Sequence, residues 1–267
     1  MSLSPANNSH EQAKRKALKV LELAGSGSFL SCRINGMIVS APYEMLRLWP
    51  HCWQLDPNYQ LSYLVETAQS NWITSRLSRG DCTLDIGAAF GLIALAMSRE
   101  VTESGSVHAF EQARGIRKHL KRALAQNNAK NVVVVESAIS DQAETAHFVE
   151  YTAENDLSWA PDASSLAEGR CPTMESFVEY EIPTTTIDQY VLSENIKPAV
   201  IKIHIEGLEV YALRGAVDTL SNLKPALCIG VHEDARTGRP SEPEVRRLLA
   251  KFGYKCRTEG HALYAEL

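Results

Sequence analysis

Five short stretches of this chain combine residue types that can hold a nucleoside or move a proton. The first is Asp85-Ile86-Gly87-Ala88-Ala89-Phe90-Gly91, where an apolar run ends in an acid and two spaced glycines. Glycine at 87 permits a tight turn, and glycine at 91 lets a helix start close to a ligand. The pattern is DxGxxxG and not GxGxxG, so the dinucleotide fingerprint is absent. Taken alone, it fits a plain strand-to-helix turn as well as a binding turn. Glu111 follows Asp85 by 26 residues and closes the next apolar run. A carboxylate there can accept two hydrogen bonds from a ribose diol, or it can cap the next helix. Gln112 comes directly after it. The third stretch is Glu136-Ser137-Ala138, the fourth Lys202-Ile203-His204-Ile205-Glu206, and the fifth His232-Glu233-Asp234.

The last two stretches carry the acid–base residues. An imidazole, with an ordinary pKa near ~6.5, is suited to taking a proton from a hydroxyl. His204 is therefore the candidate base, and a structural histidine is the plainer reading. Glu206 orients His204 or caps the helix that follows it. Strand alternation would put Lys202, His204 and Glu206 on one face, with Lys202 free to pair with a carboxylate there. His232 or Glu233 is expected to touch the acceptor. Adjacent residues point apart, so the His232-Glu233-Asp234 run is not assigned as a metal site. Arg114, Arg117, Lys118, Lys121 and Arg122 read as the solvated face of one helix.

Alternating apolar strands and amphipathic helices must position these groups. Strands are expected at Cys82–Gly87, Val107–Glu111, Val132–Ser137, Ala199–Ile205 and Ala226–His232, with closing strands at Tyr254–Thr258 and Ala262–Glu266. Helices are expected at Leu92–Val101, Gly115–Asn127, Leu208–Leu220 and Pro243–Phe252. Such alternation implies a parallel sheet covered on both faces, and ligands bind at the carboxyl ends of its strands. All five stretches stand at such ends. Residues 1–78 read as an extension: a polar start over 1–9, a helix over His10–Ala24, a hairpin around Asn35-Gly36, and an aromatic segment with a helix from Leu61 to Leu77. Residues 79–267 form the main domain.

Composition narrows the function. The 267 residues are 45% hydrophobic and 22% charged with a net charge of −5, which suits a chain that buries one sizeable core. No basic footprint suggests nucleic acid, and no apolar run is long enough to span a membrane. The six cysteines show no metal spacing, and Cys82 and Cys228 lie in apolar runs, so reduced thiols in a cytoplasmic protein are expected. Residues 151–181 hold seven acids against one base, Arg170. A connection that long is read as an acidic insertion covering the site. Trp49, Trp53, Tyr59, Tyr63 and Trp72 are read chiefly as packing residues.

The segments LDIGAAFGLIAL, VHAFEQ, VVVVESAIS, TTTIDQY and VIKIHIEGLEVYALRGAVDTL resemble the FkbM family of S-adenosylmethionine-dependent methyltransferases, over about residues 80–235. Ile201 to Glu209 followed by Leu213-Arg214-Gly215-Ala216 is the specific part. The resemblance implies a Rossmann-like class I methyltransferase fold: α/β, with a mostly parallel seven-stranded sheet, helices on both faces and the N-terminal extension. It implies S-adenosyl-L-methionine as cofactor and, usually, O-methylation of a hydroxyl on a small molecule such as a sugar, a polyketide or another secondary metabolite. By position, Asp85, Gly87, Ala88, Phe90 and Gly91 would line the methionine end. Glu111 and Gln112 would lie at the ribose, and Ser137 and Ala138 beside the adenine. Lys202, His204, Glu206 and His232 form the expected catalytic set. The family usually has Asn where Ala89 stands, Asp where His204 stands and Pro-Asn where Gln112-Ala113 stands. Those departures keep a second reading open, a cofactor-binding protein with impaired catalysis. A nucleotide-dependent oxidoreductase is a third. The partners expected are a small-molecule acceptor, with neither nucleic acid nor membrane; a homo-oligomer is compatible with the sequence.

Overall fold

The computed structural model describes residues 29–34, 36–42, 53–55, 61–151 and 177–267. The expected segments over 1–9 and 10–24 lie outside them, as do residues 152–176 of the acidic insertion. The N-terminal hairpin pairs β1 (Phe29–Ile34) with β2 (Met37–Pro42), and Gly36 takes the positive φ of +75° that its turn requires. A second short pair joins β3 (Trp53–Leu55) to β4 (Leu61–Tyr63), so the helix expected from Leu61 starts later, as α1 (Leu64–Thr74).

The main sheet then assembles. Its elements are β5 (Cys82–Ile86), α2 (Leu92–Val101), β6 (Ser106–Phe110), α3 (Arg114–Gln126) and β7 (Val132–Val135). Next come β8 (Ala138–Ile139), β9 (Thr145–Tyr151), β10 (Phe177–Thr185) and α4 (Ile187–Ser193). The last part holds β11 (Pro198–Ile203), α5 (Glu209–Arg214), a π-helical turn over Thr219–Leu223, β12 (Ala226–Gly230), α6 (Glu242–Ala250), β13 (Lys255–Glu259) and β14 (Ala262–Glu266). Seven strands lie in the order β13-β14-β12-β11-β5-β6-β7. All neighbours from β12 to β7 are parallel, and β14 runs antiparallel between β12 and β13. This is the α/β, mostly parallel sheet expected, with its antiparallel edge.

Strand alternation divides the core between two faces. Leu84, Ile86, Ile201, Ile203, Leu227 and Ile229 pack with Ile187, Val210, Leu213, Val245 and Leu249 from α4, α5 and α6. Val107, Ala109, Val200 and Cys228 point the other way, toward Ile73, Ile93, Met97, Ile116 and Leu120 from α1, α2 and α3. Each fully buried aliphatic side chain contributes about 1.5–3 kcal/mol, so both helical layers are held by apolar burial. Cys228 is buried as expected; Cys82 is only half-buried. Trp72 packs on Tyr264 with ring centroids 4.8 Å apart, and the side chains of the other aromatic residues in its group lie outside the described set.

Three expectations change in detail. The strand read over 132–137 breaks after Val135, and Ala138-Ile139 joins a separate sheet in the order β8-β10-β9. The connection between the strands expected at 132–137 and 199–205 contains β9 and β10, paired from Tyr151↔Phe177 to Thr145↔Pro183, so the insertion leaves and re-enters at adjacent strand ends. The strand read over 199–205 ends at Ile203, and the helix read over 208–220 is a short α5 followed by the π-helical turn. Glu150 docks the smaller sheet. Its buried carboxylate accepts from the N–H groups of Arg114 and Gly115 (3.0 and 2.8 Å), capping α3, whose own Ala113 has no side chain to do so. No helix among the described residues is long and apolar enough to cross a membrane.

Candidate active site

The turn after β5 takes left-handed backbone at Gly87 (φ +79°), Ala89 (φ +46°) and Gly91 (φ +87°). Gly87 is pressed onto the end of β11: a Cβ there would stand 1.9 Å from the His204 carbonyl oxygen. At Gly91 it would stand 2.6 Å from Leu120 Cδ1. Left-handed backbone at Ala89 costs about 1–2 kcal/mol, and the Asn usual in the resembling family adopts it more readily. Ala88 and Phe90 are buried in the core beneath α2 and α3, so only their backbone remains for a ligand.

Parallel register sets Lys202 directly beside Asp85. Lys202 Nζ lies 2.9 Å from Asp85 Oδ1 and also donates to the Gly87 carbonyl. Both side chains are buried, and neither Asp85 oxygen has a hydrogen bond among the described residues. Lys202 therefore holds the turn from behind, and the carboxylate it meets at 2.9 Å is that of Asp85. Lys202 is a positioning residue.

Glu111 sits where the second strand ends. Its two oxygens each accept one backbone N–H, from Ala89 and from Ala113, both at 2.9 Å. Burial pushes its carboxyl up to about 7, against the lowering effect of those two N–H groups and of Lys202. Each oxygen keeps one acceptor site, which is the donor–acceptor complement of a ribose diol. This set fits the nucleoside part of S-adenosylmethionine. The Gln112 carbonyl is taken by Arg117 Nη1 at 2.9 Å. Arg117 and Lys121 also clamp Glu136, at 3.0 and 2.9 Å, so part of the basic helix face is engaged and not merely solvated. Ser137 is half-buried and Ala138 buried at the start of β8.

The proton-handling residues gather past the ends of β11 and β12. His204 Nε2 lies 3.2 Å from Glu206 Oε1, and the His204 and His232 rings meet at a tilt of 40° with centroids 4.8 Å apart. Strand alternation does not bring Glu206 there; its left-handed backbone, φ +52°, followed by Gly207 at +94°, folds the loop back. Gly230 makes room for both rings, since a Cβ there would lie 2.7 Å from His232 Cε1 and 3.2 Å from His204 Cγ. Burial pushes the Glu206 carboxyl up, but the hydrogen bond from His204 and the nearby His204, His232 and Lys202 hold it below the ordinary glutamate value. Glu233 is exposed on the surface. Asp234 turns inward and accepts from Arg236 N, Thr237 N and Thr237 Oγ1, closing its own loop. Sequence reasoning missed Glu209. It is fully buried, and its Oε1 meets His232 Nδ1 at 2.8 Å and the backbone N–H groups of Ile205 and Gly207 at 3.2 and 3.3 Å. Its one sequence signal was an acid in the first turn of the helix after Gly207.

The chain is similar to several solved methyltransferase structures. An FkbM methyltransferase from Methylobacillus flagellatus KT is 20% identical with a TM-score of 0.50, over 71% of this chain and 44% of that one. The chain thus spans less than half the length of that relative. A precorrin-6y C5,15-methyltransferase from Geobacter metallireducens GS-15 is 13% identical with a TM-score of 0.45, over 76% and 86% of the two chains. The Aeropyrum pernix fibrillarin, solved with natively bound S-adenosyl-L-methionine, is 11% identical with a TM-score of 0.43, over 75% and 74%. No curated protein sequence matches the chain. The methyltransferase FkbM domain matches residues 85–256. That match covers well over half of the chain and contains both halves of the site, so the protein belongs to the FkbM family of S-adenosylmethionine-dependent methyltransferases.

Proposed function

We propose that the protein methylates a hydroxyl group of a small molecule. The observation that carries this reading is the His204–Glu206 pair at 3.2 Å, which sits on the loop whose His204 carbonyl touches the Gly87 turn. S-adenosylmethionine, when bound, supplies a methyl group on a sulfonium. The Gly87–Gly91 turn and Glu111 hold the nucleoside and methionine parts. Lys202 and Asp85 keep that turn in place. His204 takes the acceptor proton on Nδ1, the ring nitrogen not engaged with Glu206, and the Glu206 carboxylate, which accepts the Nε2–H, stabilises the imidazolium that forms.

The test is transfer of an isotope-labelled methyl group to a panel of hydroxylated sugars and polyketides, read by mass. His204→Ala is expected to slow the chemical step by about 10²–10⁴-fold while leaving affinity for the demethylated cofactor intact. Cofactor binding without turnover of any hydroxyl acceptor would favour the impaired reading instead.

Glu111 adds a pH signature. A diol donates to the ionised carboxylate, so affinity for the demethylated cofactor should fall about tenfold per pH unit below 7. The folded pKa is raised, so its contribution to stability without ligand has the opposite trend. It is fully present below the ordinary glutamate value and is lost as pH rises through about 7. Calorimetry and thermal unfolding between pH 5 and 8, in steps of about one unit, read both trends. A flat affinity profile would remove Glu111 from the ribose site.

A further inference from the structure

We infer that His204, Glu206 and His232 form a site for one divalent transition-metal ion, with Glu209 positioning His232. One nitrogen or oxygen from each of the three lies within 4.8 Å of the others. His204 Nε2 and Glu206 Oε1 are 3.2 Å apart, and His232 Nε2 and Glu206 Oε1 3.9 Å. Ligand atoms bound at about 2.0–2.2 Å from one ion stand roughly 3–3.5 Å apart, so the first pair already has that spacing and the second is slightly wide. The three side chains are 22–29% exposed, open to an ion yet half-enclosed.

Glu209 supplies the independent observation. Its carboxylate is fully buried, with Oε1 on His232 Nδ1 at 2.8 Å and Oε2 lacking a hydrogen bond among the described residues. A carboxylate only accepts, so Glu209 takes the Nδ1–H of His232 and fixes the ring with Nε2 directed toward Glu206 at 3.9 Å. The carboxylate–imidazole arrangement is the one that orients metal-bound histidines. The left-handed Glu206 and the space left by Gly230 add to the same picture, since strained backbone persists where the surroundings require it. Two imidazoles and one carboxylate suit Zn²⁺, Fe²⁺, Co²⁺ or Mn²⁺ and leave coordination positions open.

This inference rests on the methyl-transfer reading for its purpose and not for its geometry. With an ion present, His204 is a ligand through Nε2 and no longer the base. An acceptor hydroxyl then loses its proton to solvent through the ion's Lewis acidity.

The test uses the full-length chain, stripped with a chelator and dialysed against Co²⁺ or Zn²⁺ alone. One equivalent should be retained, with visible ligand-field bands for Co²⁺. His232→Ala and Glu206→Gln should each weaken retention more than tenfold, and Glu209→Gln by about 10–100-fold. The surface variant His261→Ala should leave it unchanged. Calorimetry with the demethylated cofactor checks that each variant keeps its first turn. Absence of retained metal at millimolar Co²⁺ in a chain that still binds the cofactor product overturns the proposal, as does full retention in His204→Ala/His232→Ala. These readouts involve no acceptor, so failure of the metal site is separate from failure of the hydroxyl reading. If methyl transfer is found, its loss on chelation and recovery with added metal would extend the site to the reaction.

Discussion

Gly87→Ala is expected to remove about 2–5 kcal/mol of stability and to abolish measurable binding of the demethylated cofactor. Two costs add. Left-handed backbone, here φ +79°, costs an alanine about 1–2 kcal/mol. The new methyl would also stand 1.9 Å from the His204 carbonyl oxygen, which is backbone and cannot rotate aside. Overpacking of that kind costs about 1–3 kcal/mol, and here relief means parting the ends of β5 and β11. Gly260 is the control. It also has a positive φ, +60°, but nothing lies within 4 Å of the position its Cβ would take. Gly260→Ala should therefore lose only the conformational part and bind cofactor normally. Chemical denaturation with calorimetry reads both variants. Equal losses would mean that the contact with His204 carries no energy.

Lys202→Met is the second large effect, with an expected cost of about 3–5 kcal/mol. It leaves the Asp85 carboxylate fully buried after losing the ammonium at 2.9 Å, and no hydrogen bond among the described residues compensates. Asp85→Asn should cost less, because Lys202 keeps the Gly87 carbonyl as a partner. Asp85→Leu combined with Lys202→Met should recover much of the loss, since an apolar pair of similar volume avoids desolvating two charges. Cofactor affinity should not recover with it, because the tie to the Gly87 carbonyl is gone. A double-mutant cycle measured by urea unfolding checks the order. A Lys202→Met protein as stable as its parent would show that the pair contributes nothing.

The same pair shows how far the chain could be read before it folded. Asp85, Lys202, His204 and Glu206 were all visible as polar residues closing apolar runs, because parallel strands buried on both faces leave polarity only at their ends. Their pairings were not visible. Lys202 faces Asp85 across 117 residues of sequence, and that contact depends on β11 lying beside β5 in one register. Ala88 and Phe90 looked like part of a ligand turn, yet apolar side chains in such a turn are drawn beneath α2 and α3. β9 escaped notice because its residues mix charged and apolar types without a clean alternation, and β10, which alternates over Val178–Ile182, because a long acidic stretch separates it from its partner.

Local order thus came from the sequence alone. The alternation of strand and helix, the glycine turn at 87–91, the acid at 111 and the histidines at 204 and 232 all follow from residue type and spacing, which act over a few positions. The tertiary structure decided which of them meet. Sheet order put β11 and β12 side by side, and that brought His204 and His232 together. A left-handed Glu206 turned its carboxylate onto both, and the buried Glu209 oriented one ring from behind. Those contacts join residues from separate strand ends, and their geometry is set by register and backbone torsion, neither of which a one-dimensional pattern contains.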